Sequence, residues 1–458
     1  MNDAFARQFP DWIVKEHSVH TAGGIRYFLV QNGSEIRLAL GRENYSLLQI
    51  NKEIIDGLRQ TFKWLNPTLC GMRNSFGFGD RIGCATAGHI QALKGHDFFP
   101  IFAQQSAREL ERTGRSFLDV LNDAVLGCFK EGYRGNFGAD ADHIKDLQAL
   151  GAAADAGYSY FTIDPSDKIE KTSMMDEDRR KKALDEYWAE YGLPFLNKTY
   201  NIGRARYTFS EGPTVELVLT YAAAIKFVEQ CWQFLKTKIN FFDFEVSVDE
   251  TQIPTTPLAH IFIAEHLRNR GIKYSSIALR FPGRFEKGID YVGNINGFET
   301  ALEAHVLIRD YFKDYKISLH SGSDKFAIYP SFRKIVGSGF HIKTSGTSWI
   351  EAIKAVAKSD FGLFSEIVKR AIETFQVNAA SYEISADPAK ITISMLKEDE
   401  IDNLFANPDF RQILHISYGA ILSDSALSGQ LRSTLVTHED IYATLLKEHL
   451  GRHLALLR

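Results

Sequence analysis

Two histidines near the C-terminal third of the chain have the sequence surroundings of metal ligands. His320 ends the short apolar segment KISLH, and His341 lies in the similar segment FHIKTSG at 340–346. Parallel barrels place catalytic groups at strand ends, so both histidines are expected to leave successive strands at the same level. With His143 they could hold zinc, or alternatively nickel, iron, cobalt or manganese. Such histidines can instead be hydrogen-bonded structural residues, and Asp142 or Asp164 could replace His143 as a ligand.

Two carboxylates, Asp142 and Glu245, are expected on different strands facing the same cavity. Near a metal, a separated pair of this kind provides a base and an acid. Glu245 alternates with Phe244 and Val246, and its polarity favours the interior of a barrel over the helix-facing side. The alternative is a buried carboxylate paired with Arg280 or Lys343.

Further polar residues near strand ends indicate a pocket for a polar substrate. Gln104, Asp164, Arg280 and Lys325 are candidates for substrate binding. Four basic residues that follow strands six to eight, Arg280, Arg284, Lys325 and Lys343, could hold a carboxylate or a phosphate. Solvated surface charge is the alternative, and it is the stronger one for Arg284.

Alternating strand and helix candidates must position these groups, and they predict a parallel sheet. There are about eight βα units, which is the number that closes a TIM barrel. The predicted strands are 98–103, 133–138, 158–163, 241–246 and 274–279, with further strands ending near 80, 320 and 341.

The pattern divides the chain into three parts. Residues 1–69 form a β-hairpin and helix unit, 70–346 the barrel, and 347–458 the last barrel helix with a C-terminal helical cap. Residues 167–212 form a long insertion after the fourth strand. Long loops of this kind are usually functional, so we expect a lid over the substrate.

Composition excludes several classes of protein. The chain has 458 residues, 45% of them hydrophobic, and a net charge of -4, which does not favour a nucleic-acid partner. No apolar run approaches the ~20 residues that cross a bilayer. The polar N-terminus does not resemble a signal peptide, and the four dispersed cysteines indicate reduced thiols. We therefore expect a cytoplasmic protein that acts on a small molecule and has no membrane partner. The sequence leaves open whether the protein forms a homo-oligomer.

Seven long motifs follow one another from about residue 71 onward. They are GFGDRIGCATAGHI (77–90), GADADHIKD (138–146), FTIDPSD (161–167), FEVSVDET (244–251), FPGRFEKGIDYVG (281–293), KISLHSGSDKFAIYP (316–330) and FHIKTSGTSW (340–349). Together they resemble the tagaturonate epimerase family, which includes tagatose 4-epimerase-like relatives, and the resemblance covers most of the chain.

The resemblance implies a metal-dependent epimerase that interconverts tagaturonate and fructuronate, or the neutral ketoses tagatose and fructose. It implies Asp142 as proton acceptor, Glu245 as proton donor, and His143, His320 and His341 around the metal. Asp164 and Glu250 are the substitutes for these roles. A zinc-dependent aldolase and a non-catalytic sugar-binding barrel are the alternative functions.

The expected reaction inverts a carbon whose C–H bond is not acidified by the ketone. Simple enolisation cannot invert that carbon, and the chain contains no convincing dinucleotide-binding fingerprint for transient oxidation. Retro-aldol cleavage followed by re-formation of the bond on the other face is therefore the expected route.

Overall fold

The N-terminal residues form an antiparallel sheet. The computed structural model describes residues 3–192, 194–380 and 382–458. Helix α1 (Asp3–Gln8) precedes strands β1 (Ile13–Val14), β2 (His20–Ala22), β3 (Ile25–Asn32), β4 (Glu35–Gly41) and β5 (Tyr45–Gln49), and helix α2 (Lys52–Thr61) follows. The strand order is β1-β3-β4-β5, with β2 beside β3. The predicted hairpin is confirmed as β3–β4, and its turn uses Gly33 at a φ of +58°.

Eight parallel strands then close into a barrel, as the βα alternation predicts. The strands are β6 (Ser75–Phe78), β7 (Phe99–Ser106), β8 (Gly138–Ile144), β9 (Tyr160–Ile163), β12 (Asp243–Ser247), β13 (Ser276–Ala278), β14 (Lys316–Leu319) and β15 (Phe340–Thr344). Strand β15 pairs with β6, and β9 pairs with β12, so no barrel edge stays open. The C-terminal strand ends therefore meet at one mouth.

Helices surround the barrel. They are α3 (Thr86–Leu93), α4 (Ala107–Thr113), α5 (Phe117–Glu131), α6 (Leu147–Ala156), α8 (Glu211–Lys238), α9 (Pro257–Asn269), α10 (Ile295–Phe312), α11 (Tyr329–Val336) and α12 (Gly346–Ser359). Helix α5 shows how the local sequence sets their limits. Ser116 and Asp119 form a capping box at its start, and Gly132 ends it in the left-handed conformation.

The insertion after β9 packs against the outside of the barrel. It contains α7 (Glu177–Tyr191), β10 (Thr199–Ile202) and β11 (Ala205–Thr208). The Tyr187 hydroxyl forms a hydrogen bond of 2.7 Å with Nε2 of His266 on α9. The rings of Tyr200 and of Tyr311 on α10 have centroids 6.1 Å apart. These contacts fix the insertion to the outer helices.

The C-terminal residues are helical, as their periodicity predicts. They form α13 (Phe361–Ala379), α14 (Ile401–Ala406), α15 (Pro408–Ile416), α16 (Tyr418–Leu422), α17 (Ser425–Thr437) and α18 (Glu439–Leu456). Helix α18 packs so closely on α3 that a Cβ added to Gly88 would lie 2.6 Å from side-chain atoms of Leu446. Among the described residues, no helix is long and apolar enough to cross a membrane.

Two details of the barrel differ from the expectation. The third barrel strand runs over Gly138–Ile144 rather than 133–138, because its Asp140 and Asp142 face a polar interior and the segment lacks an apolar run. The prediction that His320 and His341 lie at the same level of the barrel is wrong. His341 pairs with Ser318, so it lies two residues deeper than His320.

Candidate active site

A cavity of about 180 Å³ opens at the C-terminal mouth of the barrel. Residues of β7, β8 and β15 and the loops after β12, β13 and β14 line it, together with Tyr382, Glu383 and His415 from the C-terminal region. Barrel enzymes carry their active sites at this end of the strands. None of the described residues of the insertion at 167–212 lines the cavity, and its role as a lid stays a prediction.

Asp142, His143 and His320 form a cluster at the cavity wall. Their potential ligand atoms all lie within 4.8 Å of one another, and the two imidazole rings have centroids 4.9 Å apart. His143 has a φ of +48°, which is uncommon for a non-glycine residue and occurs often at functional sites. The cluster could hold a metal ion.

Buried carboxylates orient both imidazoles of this cluster. Asp164 Oδ2 lies 3.0 Å from His143 Nδ1, which leaves His143 Nε2 facing Asp142. Glu245 Oε1 lies 2.7 Å from His320 Nε2, and Asp249 Oδ1 lies 3.1 Å from the other nitrogen. A carboxylate behind an imidazole is the usual outer partner of a metal-binding histidine.

The electrostatics of the cluster favour positive charge. Burial lowers the pKa of both imidazoles, but nearby carboxylates outweigh it. Asp142 and Asp164 raise the pKa of His143 to about 10, and Asp249 and Glu245 raise the pKa of His320 to about 9. A bound cation would compensate the same carboxylates once both imidazoles have lost their protons. The donor set therefore fits a divalent ion held by nitrogen and oxygen ligands.

Lys343 joins three carboxylates at the base of the cavity. Its Nζ lies 2.8 Å from Asp140, 2.7 Å from Asp142 and 3.0 Å from Glu245. Burial raises the pKa of the Asp142 carboxyl, but His143 and Lys343 more than offset this and hold that pKa well below its usual range. Asp142 lines the cavity and is ionised, so it can accept a proton there.

Glu245 lies beneath the cavity and does not line it. Besides His320 and Lys343, its oxygens accept hydrogen bonds from Tyr160, Thr162 and Ser276. Lys343 and His320 outweigh the effect of burial and hold the pKa of Glu245 well below its usual range. The pairing with Lys343 that the sequence offered as an alternative is therefore present, and an ionised Glu245 is a poor proton donor.

His341 lies deeper in the barrel than the cluster. Its Nδ1 is 2.9 Å from Ser75 Oγ, and its Nε2 has no hydrogen-bond partner among the described residues and lies 3.9 Å from Asp140 Oδ2. Burial holds its pKa well below the usual range, so the imidazole is neutral. The structure does not bring His341 within ligand distance of the Asp142–His143–His320 cluster.

The four expected substrate contacts are in different environments. Gln104 and Arg280 line the cavity, and Gln104 Oε1 has no partner among the described residues. Asp164 lies behind His143, where it orients the ring. Lys325 is buried, and its amino group donates to the carbonyl oxygens of Glu286, Ile289 and Ser323. These bonds favour a structural role for Lys325.

Sequence reasoning missed the parts played by Asp140 and Asp249. The spacing Asp140-Ala-Asp142 places both carboxylates on one face of a strand, and this period of two could have identified Asp140. Asp249 follows β12 in an irregular loop, where no periodicity indicates the direction of its side chain.

A second group of potential metal ligands lies outside the cavity. Asp324, His449 and His453 come together between the β14 loop and helix α18. Arg411 Nη2 is 2.7 Å from Asp324 Oδ2, and the Asp324 backbone N–H donates to His453 Nε2 at 2.9 Å. These contacts satisfy the group internally, so it fastens α18 to the barrel.

Comparisons with known proteins agree with this architecture. The chain is 42% identical over 437 residues to a tagaturonate/fructuronate epimerase of Thermotoga maritima, covering 95% of this chain and 89% of the relative. The native crystal structure of the fructuronate-tagaturonate epimerase UxaE from Cohnella laeviribosi is 32% identical, with a TM-score of 0.92 and coverage of 99% of this chain and 98% of that one. A glycerol complex of the same enzyme matches equally well. The profile of the UxaE family, described as tagaturonate epimerase, matches residues 23–457, and the chain therefore belongs to the tagaturonate epimerase family.

Proposed function

We propose that this protein is a metal-dependent epimerase that interconverts tagaturonate and fructuronate. The observation that carries the proposal is the Asp142–His143–His320 cluster at the wall of the barrel cavity. Its two histidines have carboxylates behind them, and its own carboxylate faces the cavity. The names of the related enzymes from Thermotoga maritima and Cohnella laeviribosi support this choice of substrates.

The metal would be held by His143 Nε2, His320 Nδ1 and one oxygen of Asp142, with Asp249 adjacent to His320. The other Asp142 oxygen would stay free to accept a proton. Mixed imidazole and carboxylate ligands suit zinc best, and nickel, iron, cobalt and manganese are also compatible. A divalent cation in this position would supply a Lewis acid that stabilises negative charge on the ketone oxygen of the substrate. His341 is outside this set and is proposed to support the barrel interior through Ser75.

Asp142 is proposed to start the reaction as the base. It accepts the proton from the hydroxyl on the inverting carbon, and the bond from that carbon to the carbon beside the ketone breaks. The electron pair of this bond passes to the ketone half, and the other half becomes an aldehyde. After the aldehyde turns, the bond re-forms on its other face, and the new alkoxide takes back a proton.

Lys343 is the group best placed to support the return of that proton. It contacts Asp142 and Glu245 and lines the cavity, whereas Glu245 reaches the cavity only through Lys343 or His320. We therefore propose that Asp142 returns the proton that it accepted. Glu245 would act indirectly, by holding His320 and by compensating the charge of Lys343.

The test is epimerisation of tagaturonate in deuterated water by the metal-loaded protein, with NMR detection of the label. The retro-aldol route keeps the original hydrogen on the inverted carbon, so we expect no deuterium there. Deuterium that enters that position at the rate of epimerisation would show direct proton abstraction instead. Accumulation of a free aldehyde fragment would indicate an aldolase, and binding without turnover a non-catalytic barrel. The metal-free wild-type protein in deuterated water is the control for background exchange.

A further inference from the structure

Six lysine and arginine side chains line the cavity, and most of them are neutralised by carboxylates of the protein itself. A substrate carboxylate binds to a cation whose N–H donors are not already used by the protein. The existing partners of each residue therefore decide which one can bind it. The paired cations are Arg81 with Glu109 at 2.6 Å, Arg108 with Glu250 at 2.9 Å, Arg280 with Glu383 at 3.3 Å, and Lys343 with its three carboxylates.

Lys325 has no donor left for a ligand. An ammonium group has three N–H donors, and Lys325 directs them to three backbone carbonyls. Two of these carbonyls, from Glu286 and Ile289, flank Lys287. Lys325 therefore secures the loop that carries the sixth cation.

Lys287 is that sixth cation, and it differs from the others. Its Nζ donates to Ser321 Oγ at 2.8 Å, and it forms no ion pair with any acidic residue in the part of the chain that the structure describes. The side chain is only partly exposed at the cavity wall, where an unshared charge attracts an anion more strongly than on an open surface. Two of its three donors stay available to a ligand.

The loop around Lys287 is held in place on both sides. The buried Glu286 carboxylate accepts hydrogen bonds from Gln412 Nε2 at 2.8 Å and Ser385 Oγ at 2.7 Å. On the other side, Arg411 Nε donates to the Gly288 carbonyl at 2.7 Å. A cation on a fixed backbone loses less conformational freedom when it binds a ligand.

Ser321 directly follows His320, so the Lys287 ammonium lies beside the strand end that carries one proposed metal ligand. We propose that Lys287 binds the carboxylate of the substrate and sets the preference of this site for a keto-acid over the neutral ketose. This inference rests on the proposed function and deepens it, because it assigns the acid group of the substrate to one residue.

The assignment also explains how a cleaved intermediate is retained. In the retro-aldol reaction the carboxylate belongs to the aldehyde half, which must turn without leaving. A carboxylate held at Lys287 keeps that half in place while its carbonyl group rotates about a single bond. Retention of this kind lowers the entropic cost of re-forming the bond.

The test compares the wild-type protein with Lys287→Met and Lys287→Arg, all loaded with the same metal. Calorimetry measures binding of galactonate, a linear six-carbon sugar acid, and of galactitol, its neutral counterpart. Loss of a charge-assisted contact is expected to weaken galactonate binding by about 10- to 100-fold in Lys287→Met and to affect galactitol much less. Lys287→Arg should retain most of the binding. The exposed Lys63→Met, in the N-terminal unit, is the control and should behave as the wild type.

Kinetics provide the second readout. The ratio of kcat/KM for the keto-uronate to kcat/KM for the neutral ketose should fall by the same factor in Lys287→Met. Equal galactonate affinity in wild type and Lys287→Met, or no galactonate binding by the metal-loaded wild type, overturns the assignment. If galactonate binding depends on Lys287 but the wild type does not epimerise keto-uronates, the proposed function fails and the anion site stands.

Discussion

Nδ1 of His143 and Oδ2 of Asp164 are 3.0 Å apart, because the two residues lie at the ends of the neighbouring strands β8 and β9. The Asp164 carboxylate is fully buried and also accepts a hydrogen bond from the Ser166 backbone N–H at 2.8 Å. It therefore has a fixed position from which it directs Nε2 of His143 towards Asp142. In the proposed metal site, His143 is the ligand and Asp164 is the group that orients it.

The first prediction concerns this pair. Asp164→Asn should weaken metal affinity by about 10- to 100-fold, because the orienting carboxylate loses its charge while the ligand stays. Excess metal should restore most of the activity of Asp164→Asn, whereas it should not restore the activity of His143→Ala. Metal titration followed by activity measurements tests this, and an unchanged metal affinity in Asp164→Asn would contradict it.

The second prediction separates two histidines that the sequence treats alike. His320→Ala should lose bound metal and nearly all turnover, because His320 belongs to the cluster. His341→Ala should keep its metal, since its Nδ1 is committed to Ser75 and its ring lies deeper. Elemental analysis of both purified variants, with circular dichroism as a folding control, measures the difference. Metal loss in His341→Ala would restore the three-histidine site expected from the sequence.

The third prediction concerns the insertion at 167–212. Because Tyr187 and Tyr200 attach it to the outer helices, a saturating ligand such as galactonate should not change its rate of proteolytic cleavage. Protection is expected instead near Tyr382 and Glu383, which line the cavity. Limited proteolysis with mass spectrometry distinguishes the two regions. Strong ligand protection within the insertion would support the lid that its length suggested.

The fourth prediction concerns acid stability. Arg411 and His449 outweigh burial and hold the pKa of Asp324 well below its value of 3.8 in an unfolded chain. A carboxyl with a depressed pKa stabilises the fold fully above the unfolded value, and this contribution is lost as the pH falls towards the folded pKa.

Asp324→Asn should therefore lower the free energy of unfolding by about 3–5 kcal/mol at neutral pH, as for removal of one partner from a buried ion pair. The difference from wild type should shrink below about pH 3.8. Urea unfolding between pH 3 and pH 7 measures it, with Asp402→Asn at an exposed ion pair as the control. A difference that stays constant down to pH 3 would show that the Asp324 charge does not contribute.

The sequence by itself determined the barrel and much of the site. Regular alternation of short strands and amphipathic helices predicts a parallel sheet covered by helices, and about eight such units can close into a barrel. Polar residues at the ends of those strands must then meet at one mouth. For this reason Asp142, His143 and His320 could be assigned to one pocket before any distance was known.

Only the tertiary structure decided the depth and pairing of those residues. The register between β14 and β15 places His341 opposite Ser318 and leaves Lys343 near the mouth, and no local pattern specifies that pairing. Glu245 and Lys343 lie almost a hundred residues apart in the chain, so their contact follows from closure of the barrel.

The different surroundings of Lys325 and Lys287 have the same cause. Both are lysines near strand ends, and the sequence made Lys325, together with Arg280, a candidate for binding the substrate. The folded loop directs Lys325 to backbone carbonyls and leaves Lys287 without an acidic partner in the described parts of the chain. A cation becomes a ligand for substrate only when the protein leaves its charge unshared, and that depends on neighbours brought together by the tertiary fold.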